Sequence, residues 1–390
     1  MKNENREPLY CVTGASGYVG GRLVRSLLSD GKRVRVLVRD AKKIQGQSWS
    51  SEVEIIEGNA SNPADLDRAL AGVHTAYYLL HSINVATDFG DIESAMAKGF
   101  AESAARQNVQ QIIYLGGIAN DENRSRHLTS RMNTGTQLAS TSVPVLELRA
   151  GIIIGSGSAS FEMLRHLTHR LPIMTTPKWV SNRTQPIAIR DVLYYLRSVA
   201  NLEKPVNRIC DIGGPEVVTY AKMMQKFAEI SGLRKRKIIQ VPVLTPKLSS
   251  GWVGLVTPVP FQLARRLVDS LKNDVIADNG PIRELIADPK SGLTPFKTAV
   301  KLALTRLKTS NVQTRWTDAS VPFAPSDPLP TDPDWAGGSL YTDVRTVEST
   351  QSAEQVFARI EAIGGDHGYS TATWAWQLRG LMDRLVGGVG

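Results

Sequence analysis

Three glycines near the N-terminus have a spacing that could bind a phosphate group. Gly14, Gly17 and Gly20 form the pattern G-x-x-G-x-x-G. The first glycine permits a tight turn out of a strand, the second lets the backbone approach a pyrophosphate, and the third lets the following helix pack on the sheet. The free N–H groups of that helix would then face the phosphates. The dinucleotide contacts predicted from this pattern are Gly14, Ala15, Ser16, Gly17, Tyr18 and Val19.

The alternative interpretation of this pattern is a purely structural glycine-rich turn. The residue expected to contact the ribose indicates which cofactor would bind. Domains selective for NAD(H) carry a carboxylate about 20 residues beyond the glycines, where it binds the 2′-hydroxyl. This chain has Arg39 there, followed by Lys42 and Lys43. A guanidinium can bind a 2′-phosphate through two hydrogen bonds. NADP(H) is therefore the preferred cofactor, although the neighbouring Asp40 leaves NAD(H) open, and Arg39 could instead only cap a surface strand.

Two later strand ends supply further candidate contacts. Asn59 and Ala60 follow the predicted third strand, where the adenine would lie. Leu80, His81 and Ser82 follow the fourth, near the nicotinamide ribose. The prediction rests on the position of these residues and not on their identity, because a His or Ser at a strand end is as often a turn residue as a ligand.

Alternating apolar runs and helical patterns predict the elements that position these residues. The predicted strands are residues 9–13, 34–38, 53–56, 75–80, 112–115 and 145–148. The predicted crossover helices include residues 65–71, 92–106 and 128–140. Such alternation indicates right-handed crossovers and helices on both faces of a parallel sheet. The predicted class is α/β, a doubly wound parallel-sheet Rossmann fold with a smaller substrate lobe, a helical extension and an incomplete C-terminal α+β module.

Composition changes along the 390 residues predict four regions. Residues 1–240 are expected to form an NAD(P)-binding Rossmann domain with its substrate lobe, and residues 241–321 a helical extension. Residues 322–338 are rich in proline and read as an extended linker. Residues 339–390 are too few to build a core of their own.

Bulk composition is that of an ordinary globular protein, with 42% hydrophobic and 21% charged residues. The N-terminus is polar, and no stretch of about 20 consecutive apolar residues occurs in the sequence. A cytoplasmic location is therefore expected. Its two cysteines, Cys11 and Cys210, are far apart and have neither metal-ligand nor redox spacing. No metal is expected.

The net charge of +9 raises the question of an anionic partner. The densest basic run, residues 234–237, has no interleaved aromatic residues of the kind that stack bases. We expect a solvated basic face and no nucleic-acid partner. A peripheral membrane contact and the oligomeric state stay open.

Three downstream stretches extend the pattern. These are LRAGIIIGSGSASFE at 148–162, TQPIAIRDV at 184–192 and GGPEVVTY at 213–220. With the glycine motif, they resemble the short-chain dehydrogenase/reductase (SDR) superfamily in its extended and atypical branches, which include NmrA-like proteins. The chain is most similar to YbjT-like proteins, which join an NAD(P)-binding domain to an SRPBCC-like DUF2867 domain. Residues 376–384 resemble the early part of that second domain, so the resemblance implies a truncated final module.

Catalysis in that superfamily rests on a Tyr-x-x-x-Lys pair and an upstream Ser. This chain has Gly116 and Gly117 where the Ser is expected, and the matching pair is His127 and Arg131. These two residues lie four positions apart, on one helix face. An imidazole can donate a proton near neutral pH and a guanidinium can orient a polar group, but a solvated helix face is the alternative.

The expected substrate contacts are Gly117, Gly151, Phe161 and Gln185. The resemblance implies an NADP(H)-binding oxidoreductase that acts on an unidentified apolar substrate. The alternative is a catalytically silent NADP(H)-binding redox sensor or scaffold of the NmrA type, which the departures from the catalytic set favour. A weaker alternative is an isomerase or epimerase that uses the cofactor transiently.

Overall fold

The computed structural model describes residues 7–80, 89–118, 126–240, 268–269, 273–308, 313–314, 346, 348–362 and 373–385. The chain divides into two compact units, Met1–Ser339 and Leu340–Gly390.

The larger unit alternates strands and helices. Its strands are β1 (Leu9–Thr13), β2 (Arg33–Val38), β3 (Glu54–Glu57), β4 (Thr75–Tyr78), β5 (Gln111–Gly117), β6 (Val145–Ala150), β7 (Ile153–Ile154), β8 (Ile173–Thr176), β9 (Arg183–Thr184), β10 (Ile187–Ala188), β11 (Arg208–Ile212), β12 (Val218–Thr219) and β13 (Lys237–Gln240). Its helices are α1 (Tyr18–Ser29), α2 (Lys42–Gln45), α3 (Pro63–Leu70), α4 (Phe89–Arg106), α5 (Arg126–Leu138), α6 (Ala159–Arg170), α7 (Ile189–Val199), α8 (Tyr220–Ile230), α9 (Gly280–Leu285) and α10 (Phe296–Lys308).

Seven of the strands form one parallel sheet in the order β11-β6-β5-β4-β1-β2-β3. The chain order reverses between β1 and β4, and ligands bind at such a switch point, outside the carboxyl ends of the strands. This sheet confirms the predicted doubly wound α/β class. The predicted strands of the sheet match the observed ones to within two residues.

Helices cover both faces of the sheet, so its five central strands are largely buried on both sides. One face packs against Leu23 and Leu27 of α1 and Tyr195 of α7, all without exposed surface. The other packs against Leu66 of α3 and Phe100 of α4. This double cover explains why the strands read as continuous apolar runs.

A separate core holds the lobe together. Phe161 of α6 has no exposed surface and packs edge-on against Phe227 of α8, with ring centroids 6.0 Å apart. Phe296 and Val300 of α10 pack into the same core, and Ile282 of α9 packs into a core of the sheet. The described part of the predicted helical extension therefore belongs to the lobe and the sheet. The rest of that segment and the predicted linker, 322–338, lie outside the described residues.

The smaller unit contains α11 (Ala353–Glu361) and α12 (Thr373–Leu385). A capping box begins α11, because Ser352 and Gln355 each accept a backbone N–H of the other. Phe357, Trp374 and Leu381 are more than half exposed. The resemblance of this unit to DUF2867 stays a prediction. None of the described helices combines the length and the apolar character needed to cross a membrane.

Both cysteines are free thiols inside the protein, and we predict that neither reacts in the folded state. Burial raises the pKa of Cys11 to about 12 and that of Cys210 to about 11, so almost no thiolate forms near neutral pH. A disulfide reagent at pH 8 should label both thiols only as urea unfolds the chain. A Ser140→Cys variant, exposed after α5, should react at once and serve as the control. Rapid labelling of native Cys11 or Cys210 would contradict the burial.

Candidate cofactor and active site

The turn after β1 requires glycine at its first position. Thr13 Oγ1 donates a hydrogen bond of 2.9 Å to the Tyr77 carbonyl, which fixes the end of β1 beside β4. Gly14 has φ +78°, and a Cβ there would lie 2.6 Å from the Leu79 carbonyl oxygen. The Gly17 N–H donates to the Gly14 carbonyl at 2.9 Å and closes the turn. A side chain at Gly14 would be both strained and obstructed.

The third glycine lets α1 start directly on the turn. A Cβ on Gly20 would overlap the carbonyl oxygen of Gly14, a backbone atom that cannot rotate away. Gly17, the N-cap of α1, has no side chain to cap the helix. The first-turn N–H groups therefore keep their capacity to bind an anion.

Tyr18 differs from the other residues of the turn because its side chain points into the protein. Its hydroxyl is buried without a hydrogen-bond partner and lies where a Cβ on Gly155 would be. Burial raises the pKa of Tyr18 to about 12, with the Arg22 guanidinium, 4.7 Å from its ring centroid, opposing the rise. Only the backbone of Tyr18 can therefore serve a cofactor in this arrangement.

An arginine and a hydrogen-bonded aspartate, Arg39 and Asp40, follow the end of β2. Arg39 is exposed directly after β2. Asp40 Oδ1 accepts a 2.9 Å hydrogen bond from the Lys42 N–H at the start of α2. One oxygen of this carboxylate is therefore engaged in a local turn.

The predicted adenine contacts follow β3. Asn59 is exposed, and its Oδ1 accepts from the Ser61 N–H at 3.0 Å, while its own N–H donates to Asp65 at 2.9 Å. Ala60 is buried in the sheet core. Leu80 follows β4 and packs partly buried against that core, while His81 and Ser82 lie outside the described residues. The glycine turn, Arg39, Asn59 and Leu80 thus follow the carboxyl ends of four adjacent strands.

Gly117 and Arg131 meet at the carboxyl end of β5. A Cβ on Gly117 would lie 3.1 Å from Arg131 Cδ. The Tyr114 hydroxyl donates to the Arg131 carbonyl at 3.1 Å and fixes α5 over β5. Arg131 Nε is buried without a hydrogen-bond partner among the described residues. His127 lies one turn earlier in α5, and its side chain is outside the described residues.

Beneath this contact lies a buried carboxylate that the sequence analysis missed. Glu147 of β6 is 4% exposed and accepts a 2.7 Å hydrogen bond from Arg149 Nε. Its carboxylate fills space left by Gly116, where a Cβ would be 2.8 Å from Oε1, and by Gly135 of α5. Burial raises the pKa of Glu147, and Arg149 opposes the rise. The available signal was a Glu and an Arg in an otherwise apolar strand.

The predicted substrate contacts separate into two groups. Gly151 follows β6 beside Val275 and Ile118, at the same sheet edge as Gly117. Gln185 has a structural task, because its Nε2 donates to the Gly214 carbonyl at 2.7 Å and its Oε1 accepts from the Ala277 N–H at 3.0 Å. Phe161 is fully buried in the lobe core. Gln185 and Phe161 therefore present no free group or surface to a substrate in this structure, and neither is included in the proposed substrate site.

A family model described as NAD(P)H-binding matches residues 14–141. The ceramide reductase of Caulobacter vibrioides is 27% identical over 283 residues, which are 70% of this chain and 87% of that protein. A photosystem II assembly factor of Cyanophora paradoxa is 26% identical over 241 residues, 60% of this chain and 71% of that protein.

Among solved structures, the triphenylmethane reductase of Citrobacter sp. in complex with NADP(H) superposes with a TM-score of 0.59. The match covers 75% of this chain and 99% of that chain at 22% identity. At this identity the likeness establishes the fold.

We predict that Gly20→Ala disrupts the turn. The added methyl would overlap the Gly14 carbonyl, and overpacking of this kind costs about 2 kcal/mol or more. Urea unfolding should show that loss, and calorimetry should show weakened NADPH binding. Gly99→Ala in α4 is the matched control, since its Cβ would meet only Leu66 Cδ1 at 3.9 Å and alanine favours a helix by about 1 kcal/mol. Equal stability and affinity of Gly20→Ala and the wild type would refute the packing role.

The glycine turn at the switch point, the family match over the same residues and the shared fold agree with one another. The sequence-based expectation of a nucleotide-binding Rossmann domain is confirmed. The chain therefore carries an NAD(P)H-binding domain over residues 14–141.

Proposed function

We propose that this chain is an NADP(H)-dependent oxidoreductase that reduces a carbonyl group on an apolar substrate. The observation that carries the proposal is the contact between Arg131 and Gly117 at the carboxyl end of β5. This contact lies on the same sheet edge as the glycine turn after β1. It combines a buried, unsatisfied guanidinium N–H with a strand end that has no side chain of its own.

The chain's own groups fit a dinucleotide. The backbone of residues 14–19 would hold the pyrophosphate, Arg39 the 2′-phosphate, and Asn59 with Ala60 the adenine. Asp40 is hydrogen-bonded to its own turn, which favours NADP(H) over NAD(H). When bound, the cofactor supplies a hydride.

The residues around β5 would orient and polarise the substrate. Arg131 would donate a hydrogen bond to the carbonyl oxygen and stabilise the negative charge that grows there. His127, one turn earlier on α5, is the proposed proton donor. Gly117 and Gly151 carry no side chains, so Arg131 and Val275, which lie beside them, would border the substrate.

Two relatives support the class of reaction. One is named a ceramide reductase and the other a triphenylmethane reductase. Ceramides and triphenylmethanes are large, mainly apolar molecules, which favours an apolar substrate here as well.

A second candidate is NADP(H) binding without turnover, as a sensor or scaffold. The observation that favours it is Gly116 and Gly117 at the strand end where the superfamily carries a serine. The relative named as an assembly factor fits the same alternative.

Turnover separates the two candidates. We expect the purified chain to oxidise NADPH in the presence of a hydrophobic aldehyde, ketone or quinone. The loss of NADPH absorbance measures the reaction. Arg131→Ala should lower kcat by about a hundredfold or more, the usual effect of removing one oxyanion donor, with unchanged NADPH affinity. Arg131→Lys should recover part of the activity. Lys98→Ala, exposed on α4, is the control.

Tight NADPH binding without turnover across the whole panel would favour the sensor. Wild-type turnover in Arg131→Ala would remove Arg131 from the proposed site.

Cofactor preference is tested at Arg39. Charged hydrogen bonds contribute about 1.5 to 3 kcal/mol each, so Arg39→Asp should weaken NADPH binding by about tenfold or more. NADH binding should be unchanged or improved. Arg25→Asp, an equal charge change at an exposed position of α1, should leave the ratio of the two affinities unchanged. A constant ratio in Arg39→Asp would exclude this residue from 2′-phosphate recognition.

A further inference from the structure

The parallel pair β8–β13 has two unlike faces. Met174 and Ile238 point inward and pack on the lobe core. Ile173 of β8 is paired with Lys237 of β13, and Ile239 lies two residues after Lys237 in β13. These three side chains therefore share the outer face. Ile173 is 57% exposed and Ile239 is 52% exposed. Branched apolar side chains thus stand in solvent on a sheet surface.

Basic residues border this outer face. Arg234, Lys235 and Lys237 are exposed, and within the part of the chain that the structure describes none of them has an ion-pair partner. Arg236 alone turns inward, where its Nε donates to the Thr168 carbonyl at 2.7 Å. The run that the sequence predicted to be a solvated face is therefore three exposed cations anchored by one buried arginine.

The surface combines two features that a bilayer recognises together. Exposed apolar side chains can enter the boundary between headgroups and acyl chains, while cations nearby attract anionic headgroups. Pro172, also exposed, adjoins Ile173 and extends the apolar part. A nucleic acid would use the cations but would leave the isoleucines in water, and the run contains no aromatic residue for base stacking.

We propose that the outer face of β8–β13 docks the lobe on an anionic phospholipid bilayer. The isoleucines enter the interface, and Arg234, Lys235 and Lys237 meet the phosphates. Each cation near an anionic surface raises binding by about fivefold, so three of them with two isoleucines give a reversible, salt-sensitive attachment. This inference does not depend on the proposed catalytic function.

The test is cosedimentation of the full chain with vesicles. Vesicles of phosphatidylcholine alone are compared with vesicles of phosphatidylcholine and phosphatidylglycerol in equal parts. The wild type should bind only the anionic vesicles, and added salt should weaken the binding. Lys235→Glu/Lys237→Glu should reduce it by about tenfold or more. Ile173→Ser/Ile239→Ser should also reduce it, even at low salt.

Matched controls come from exposed residues elsewhere. Lys98→Glu/Lys290→Glu repeats the charge change, and Ile92→Ser repeats the apolar change at a side chain that is 45% exposed. Both controls should bind vesicles nearly as the wild type does. Equal NADPH affinity and thermal stability in every variant show that folding is intact.

Three results would overturn the proposal. The first is no binding to anionic vesicles, and the second is wild-type binding by both double variants. The third is a concentration-dependent dimer in size-exclusion chromatography that Ile173→Ser/Ile239→Ser abolishes without vesicle binding by the wild type, which would assign the face to a second copy of the chain.

Discussion

The close approach of α1 to the end of β1 is the constraint on which the rest of the site depends. Gly20 lies directly against the Gly14 carbonyl, and Gly14 lies against the carbonyl of Leu79 after β4. Three segments of backbone therefore meet where no side chain fits. This contact directs the uncapped N–H groups of α1 toward the switch point of the sheet, where a pyrophosphate can replace the missing cap.

In the other half of the sheet edge, glycines stand beside a buried ion pair. Glu147 and Arg149 pair inside the protein, and glycines of β5 and α5 make room for the carboxylate. Burying such a pair is costly, and removing one partner usually destabilises a protein by about 3 to 5 kcal/mol. The buried pair and the glycines of β5 and α5 therefore form one packing arrangement beneath the helix that carries Arg131.

The lobe is built from segments far apart in the chain. Helix α10 closes the same core as α6 and α8, and Gln185 ties the strand end at Gly214 to the segment at Ala277. Arg22 of α1 extends this connection, since its Nε donates to Thr314 Oγ1 at 2.9 Å and its guanidinium also reaches the Ser156 carbonyl at 2.8 Å. The described residues between 273 and 314 are therefore part of the frame that supports the lobe.

The sequence by itself determined the sheet, its crossovers and the glycine turn, because these follow from short-range spacing and from strands buried on both faces. It also indicated Arg39 as a cofactor contact, Gly117 as a substrate contact, and His127 with Arg131 as the candidate catalytic pair, whereas the contact between Gly117 and Arg131 came from the structure. Only the tertiary structure decided that Tyr18, Phe161 and Gln185 face inward, that Glu147 lies beneath α5, and that α10 belongs to the lobe. The physical reason is that these outcomes depend on which distant segments supply neighbours, and local periodicity carries no information about such partners.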